Sequence, residues 1–133
     1  MENTQKRLLV CAEDDPDDYH LFCKTASLLD NSLEIIHADN GKILLQKMEQ
    51  LSKIPCLIIL DMNMPIMDGK QTLIAIKENN QWKDIPVAIY TTSPRDRYKH
   101  LEQQYGISIV TKPSTYNQVV ETVRHLLSFC NSK

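Results

Sequence analysis

Cys56-Leu57-Ile58-Ile59-Leu60-Asp61-Met62-Asn63-Met64-Pro65-Ile66-Met67-Asp68-Gly69 is the stretch on which the fold turns. Five apolar residues in a row, with two adjacent Ile, read as a strand buried on both faces rather than as one face of an amphipathic element. The run stops at a carboxylate, Asp61, and passes into a loop punctuated by Pro65 and Gly69. Strands covered on both faces belong to parallel sheets, whose crossovers put helices above and below.

Working outward, short apolar runs alternate with longer amphipathic ones. A first strand is predicted over 8–12, a second over 34–38, a fourth over 87–91 and a fifth over 108–111. Helices fill the gaps. Asp15 is placed to cap the first, with Pro16 at its opening position, Asp17 and Asp18 suited to its dipole, and Leu21, Thr25, Leu28 and Leu29 facing inward. The second spans 40–50, with Leu44, Met48 and Leu51 inward. The third buries Leu73 and Ile76. The fourth is predicted to start at Ser93-Pro94, with Ser93 as cap and a thin face of Leu101 and Tyr105. Ser114 is predicted to cap the last, whose face is Val119, Val123, Leu126, Leu127 and Cys130. Trp82 falls in the loop before the fourth strand, as an anchor. Five βα units imply an α/β, doubly wound, flavodoxin-like sheet of five parallel strands in the order 2-1-3-4-5, with helices on both faces.

Composition excludes several classes. The chain has 133 residues, 42% hydrophobic and 24% charged, which suits one domain over 1–133 with its core at about 7–130. No secretion signal or membrane span is evident, so a cytoplasmic location is expected. The net charge of −2 and the lack of a basic run argue against direct nucleic-acid binding. Cys11, Cys23, Cys56 and Cys130 form no C-x-x-C pair and are read as free thiols. His20, His37, His100 and His125 show no ligand spacing and are read as surface or helix-face residues. Met62, Met64 and Met67 are read as packing. Neither acidic run has the Gly and Glu positions of an EF-hand.

Ligands of such sheets bind at the carboxyl ends of the strands, near the switch point. At those ends the sequence places Glu13-Asp14-Asp15, Asp61, Thr91-Thr92-Ser93 and Lys112-Pro113. Gathered carboxylates are costly unless a proton or cation compensates them. A hard divalent cation such as Mg²⁺ takes carboxylates, waters and phosphate oxygens. A carboxylate beside Mg²⁺ and a Lys suits attack on phosphorus, giving an aspartyl phosphate.

Leu8-Leu9-Val10 through Asp18, the Leu57–Gly69 run, Pro86–Thr91 and Thr111-Lys112-Pro113 together resemble the receiver domain of bacterial two-component response regulators. The likeness spans essentially the whole chain and is of the stand-alone, chemotaxis-regulator-like kind. It implies that Asp61 is the phosphoacceptor. Asp14 would be a direct Mg²⁺ ligand, Glu13 would complete the acidic pair, and Asn63 would lend its backbone carbonyl. Thr91 would bond the phosphoryl group and Lys112 would pair with one of its oxygens, with a cis bond to Pro113. The donor would be a phosphohistidine on a sensor histidine kinase or phosphotransfer protein. Output would run by protein docking through the face of the fourth helix, fifth strand and fifth helix, or by phosphorelay, with no output domain attached. The domain would catalyse only its own phosphorylation and dephosphorylation.

Two positions depart from that pattern. Ile109 stands three residues before Lys112, where receivers usually carry Tyr or Phe, and cannot reproduce the inward swing of a ring. Thr92 follows Thr91 where a small residue is usual. Aligned one residue later, the acidic run would make Asp15 the ligand, although strand alternation and the cap role favour Asp14. Other functions remain in view. An aspartyl-phosphate phosphatase would want an Asp where Asn63 stands. A flavodoxin-like cofactor module would not put three carboxylates after its first strand. A receiver-fold binding module acting independently of phosphorylation is compatible with Ile109.

Overall fold

The computed structural model describes residues 7–130, so the ends of the 1–133 assignment lie outside the described residues. The chain runs β1 (Arg7–Ala12), α1 (Pro16–Leu29), β2 (Leu33–Ala38), α2 (Gly41–Met48), β3 (Leu57–Leu60), α3 (Gly69–Lys77), β4 (Val87–Thr91), α4 (Arg95–Tyr105), β5 (Ser108–Thr111) and α5 (Val119–Cys130). A 3₁₀ turn at Tyr116–Gln118 precedes α5. All pairings are parallel, and the strand order is β2-β1-β3-β4-β5, as the alternation of runs predicts.

Strand alternation divides the core in two. Val10, Ala12, Ile58, Leu60 and Ile89 face α2, α3 and α4, meeting Leu44, Leu73, Ile76 and Leu101. Leu9, Cys11, Leu57, Ile59 and Tyr90 face α1 and α5, meeting Phe22, Ala26, Val123 and Leu126. Each large apolar side chain buried this way contributes about 1.5–3 kcal/mol. Trp82, beside Ile85 in the turn before β4, is buried as an anchor.

Local chemistry sets the helix ends. Asp15 accepts hydrogen bonds from the Asp17 and Asp18 amides and opens α1. Asn40 accepts from the Ile43 amide at α2. Asp68 and Gln71 form a reciprocal capping box at α3. Gly106 closes α4 at φ 66°, a left-handed position that Gly adopts without penalty.

Several local expectations are corrected. Leu28 is 79% exposed, because the inward face of α1 runs through Phe22, Thr25 and Ala26, and Leu28 points off it. Helix α2 ends at Met48 rather than Gln50. Ser93 does not cap α4, which starts at Arg95 without a side-chain cap; the Ser93 hydroxyl is engaged elsewhere. Ser114 does not cap α5. The polar stretch from Ser114 to Gln118 has nothing to bury, so the chain makes a 3₁₀ turn first and α5 begins at Val119. No peptide bond among the described residues is cis, so Lys112–Pro113 is trans, the form X–Pro bonds intrinsically favour.

The cysteine reading is corrected too. Cys56 and Cys130 form a disulfide, while Cys11 and Cys23 are free. The start of β3 and the end of α5 meet at the same pole of the sheet, with the two Cα atoms 4.8 Å apart, inside the range a disulfide spans. Two cysteines 74 residues apart carry no spacing signal for this.

Candidate acidic site at the carboxyl ends of the strands

Ladder hydrogen bonds continue one residue past three strands and set the site. The Glu13 amide donates to the Ala38 carbonyl (3.0 Å), the Asp61 amide to Ala12 (3.0 Å) and the Lys112 amide to Thr91 (2.8 Å). The backbone thus delivers Glu13, Asp61 and Lys112 to one crevice. Gly69 completes the β3–α3 loop. Its amide donates to the Met62 carbonyl (3.0 Å), and a Cβ there would overlap the Asp61 carbonyl oxygen and crowd Met62 Cα at 2.8 Å.

Carboxylate oxygens of Glu13, Asp14 and Asp61 lie within 4.8 Å of one another. Glu13 and Asp61 are buried and Asp14 is exposed. Lys112 reaches into this group: its Nζ donates to Glu13 Oε1 (2.7 Å), Asp18 Oδ2 (2.8 Å) and Asp61 Oδ2 (3.0 Å). Its side chain is 7% exposed. Burial opposes its charge, but the hydrogen bonds it donates to Asp18, Glu13 and Asp61 carry its pKa above the ordinary lysine value. Burial pushes Glu13 up to about 7 against the pull of Lys112, and the nearby Asp61 adds to the rise. The group therefore holds more negative charge than one ammonium offsets. Its donors are all oxygens, which fits a small hard divalent cation. Glu13, Asp14 and Asp61 are the side chains that could hold such an ion.

The rim is tied together. Asn63 Nδ2 donates to Ser93 Oγ (2.9 Å), joining the loop after β3 to the loop after β4. The Ser93 amide donates to Thr91 Oγ1 (3.2 Å), which is fully buried at the end of β4. The Asn63 amide donates to Asp61 Oδ1 (3.3 Å). Thr92 is exposed beside a cavity of about 820 Å³ that Lys112, Pro113 and Gln118 also line. Ile66 stands 76% exposed on the loop after β3 at φ 70°, in a three-residue turn where Met67 donates to Pro65 (2.7 Å). Asp15 caps α1 and donates its amide to Glu13 Oε2 (3.1 Å); it is not among the three clustered carboxylates.

Three contacts escape a reading of the sequence. Asp18, taken as a dipole residue, is a partner of Lys112. His37, taken as a surface residue, is half-buried on β2, stacks on Tyr19 (ring centroids 3.8 Å) and donates from Nε2 to the Glu13 carbonyl (2.7 Å). Glu102 of α4 accepts from the Ile109 amide (3.0 Å) and pairs with Arg95 (2.9 Å). Each joins residues far apart in the chain or on different elements, and no local pattern signals them.

Comparison with known proteins points one way. The family model described as "Response regulator receiver domain" matches residues 9–124. Response regulator Rcp1 of Synechocystis is 30% identical over 97 residues, covering 69% of this chain and 66% of that one. The Mn(2+)-bound form of Rcp1 superposes with a TM-score of 0.80 at 27% identity, covering 92% of this chain and 93% of that one. Histidine kinase P4 of Formosa agariphila is 29% identical over 127 residues. The match covers 95% of this chain but only 9% of the kinase.

Proposed function

The chain belongs to the response regulator receiver domain family, and on that footing we propose that it is a phosphorylation switch whose phosphoacceptor is Asp61. The observation that carries this is Asp61 itself: a buried carboxylate at the end of β3, 3.0 Å from the Lys112 ammonium and clustered with Glu13 and Asp14.

Glu13, Asp14, Asp61 and the Asn63 backbone carbonyl would hold Mg²⁺. Once bound, the ion would neutralise charge on the transferring phosphoryl oxygens. The Mn²⁺ held by Rcp1 supports such a site. An Asp61 carboxylate oxygen attacks phosphorus, the P–N bond to the donor imidazole breaks, and the bonding pair leaves with the imidazole. Lys112 turns from its carboxylates toward a phosphoryl oxygen. The Thr91 hydroxyl, now accepting from the Ser93 amide, donates to another. Water later hydrolyses the acyl phosphate and resets the switch. Asn63 and Ser93, hydrogen-bonded across the rim, stand where they would tune that lifetime.

The donor would be a phosphohistidine on a sensor histidine kinase or phosphotransfer protein; the kinase relative supports that class of partner. Output would pass to another protein through the α4–β5–α5 face, or onward by phosphorelay, within the cytoplasm. Among the described residues no helix is long and apolar enough to cross a membrane.

The test is incubation with acetyl phosphate, with and without Mg²⁺, followed by intact mass. A phosphoryl adduct that needs Mg²⁺ and vanishes in Asp61→Asn supports the reading; an adduct that survives in Asp61→Asn sinks it.

One observation favours a second reading. Ile109 is 6% exposed in the core and its amide is held by Glu102, so no aromatic ring stands ready to swing. A binding module insensitive to phosphorylation would show the same partner affinity with and without beryllofluoride.

A further inference from the structure

The Cys56–Cys130 bond lies at the amino-end pole of the sheet, away from the acidic crevice. Cys56 directly precedes β3, and its amide donates to the Leu8 carbonyl (2.8 Å). Asp61 lies five positions further along the same strand, about 16 Å at the usual rise. Cys130 is the last residue of α5, and the far end of that helix follows the loop bearing Lys112 and Pro113. The bond therefore ties the last turn of α5 to the strand that ends in Asp61. Beyond it, α5 is held to the sheet by apolar contacts of Val123, Leu126 and Leu127. Cys130 is 6% exposed, whereas Cys56 is only half-buried and is the more exposed of the pair. Of the two free cysteines, Cys11 is buried and burial pushes its thiol well up, which leaves it a poor nucleophile.

We propose that Cys56 and Cys130 form a redox-reversible cross-link, made and broken by exchange with a low-molecular-weight disulfide, that fixes the C-terminal end of α5 to β3 without altering the acidic site. The Cys56 thiolate attacks one sulfur of the external disulfide and expels the other as a thiol, leaving a mixed disulfide on Cys56. The Cys130 thiolate then displaces the remaining half. One protein S–S bond forms and one external S–S bond breaks. Two electrons pass to the external disulfide, and the two protein thiol protons end on the two thiols released. Reduction runs the same steps backward and frees the last turn of α5.

The test uses the wild-type chain, reduced with dithiothreitol and then equilibrated across ratios of glutathione to glutathione disulfide. Maleimide labelling with intact mass should show two thiols lost together as the disulfide share rises, and peptide mapping should place the link at Cys56 and Cys130. The oxidised form should melt about 10 °C above the reduced form, as expected for closing a long loop. Amide exchange over the last turns of α5 should slow on oxidation. The rate of the Mg²⁺-dependent mass adduct should be unchanged between the two forms, so failure of the cross-link is distinguishable from failure of the phosphoacceptor reading. Cys56→Ala should show neither the melting shift nor the slowed exchange, and Cys130→Ala serves equally if that variant folds poorly. Four labelled thiols at every ratio, glutathione lodged on Cys56 beside a free Cys130, or a cross-link that leaves melting and α5 exchange unchanged would each overturn the proposal.

Discussion

Glu13 binds its proton more tightly in the folded chain than in the unfolded one, because burial penalises its charge. A carboxyl whose folded pKa is raised lends stability that is complete below its unfolded value and lost as pH climbs through the folded value. For Glu13 that window runs from about 4.5 to about 7. Without divalent cations, urea denaturation should show this group removing about 3 kcal/mol across the window. Glu13→Gln should flatten that slope, and an unchanged slope in the variant would refute the assignment. Added Mg²⁺ should restore stability at neutral pH, where the carboxylate is available to it. A second prediction concerns Gly69, where a Cβ would meet the Asp61 carbonyl, which is backbone and has no room to give. Gly69→Ala should cost about 2–3 kcal/mol in the same assay. Asp61, Asp14 and Lys112 were legible because the D-M-N-M-P-x-M-D-G run and the strand-end positions place them together. Asp18 was not, because one acidic run supplies cap, dipole and Lys112 partner at once, and only the turn of α1 separates those roles.

At the scale of the element, strands read more faithfully than helix starts. A buried parallel strand announces itself by an unbroken apolar run, as Leu57–Leu60 does. A helix start depends on one side chain competing for one amide. Ser93 and Ser114 have the right chemistry and the wrong neighbours: Asn63 claims the first, and a polar stretch with nothing to bury delays the helix after the second. Asp68 is the opposite case, with both halves of its capping box made. Asp68→Ala should destabilise the chain by about 1 kcal/mol. Because α3 follows the loop that carries Asp61, amide exchange in its first turn should quicken as well. A loss in stability without faster exchange there would place the cost elsewhere.

Across the whole molecule, chemistry is kept at one pole and anchoring at the other. The carboxylates, Thr91 and Lys112 sit at the carboxyl ends of the strands, while Trp82 and the Cys56–Cys130 bond sit toward the amino ends. Trp82 is the chain's single tryptophan and is buried against the α2–α3 side of the core. Its emission should shift to the red on urea unfolding and stay constant through a Mg²⁺ titration of the folded protein. A change on Mg²⁺ binding would mean that the two poles communicate through the sheet. The overall architecture was legible because a two-sided sheet demands alternating apolar runs. The disulfide was not, since closing a span of 74 residues depends on the finished topology and not on any local pattern.

The contact between Glu102 and the Ile109 amide has a consequence for the company the molecule keeps. β5 is the last strand of the sheet, and an outer strand with bare amides invites any extended chain to pair with it. Here a carboxylate from α4 already occupies the amide at the second of its four positions. A stranger's backbone would have to displace a charged acceptor also held by Arg95. Strand addition at the middle of β5 therefore has to break a charged contact first, which makes this edge a poor template for another chain.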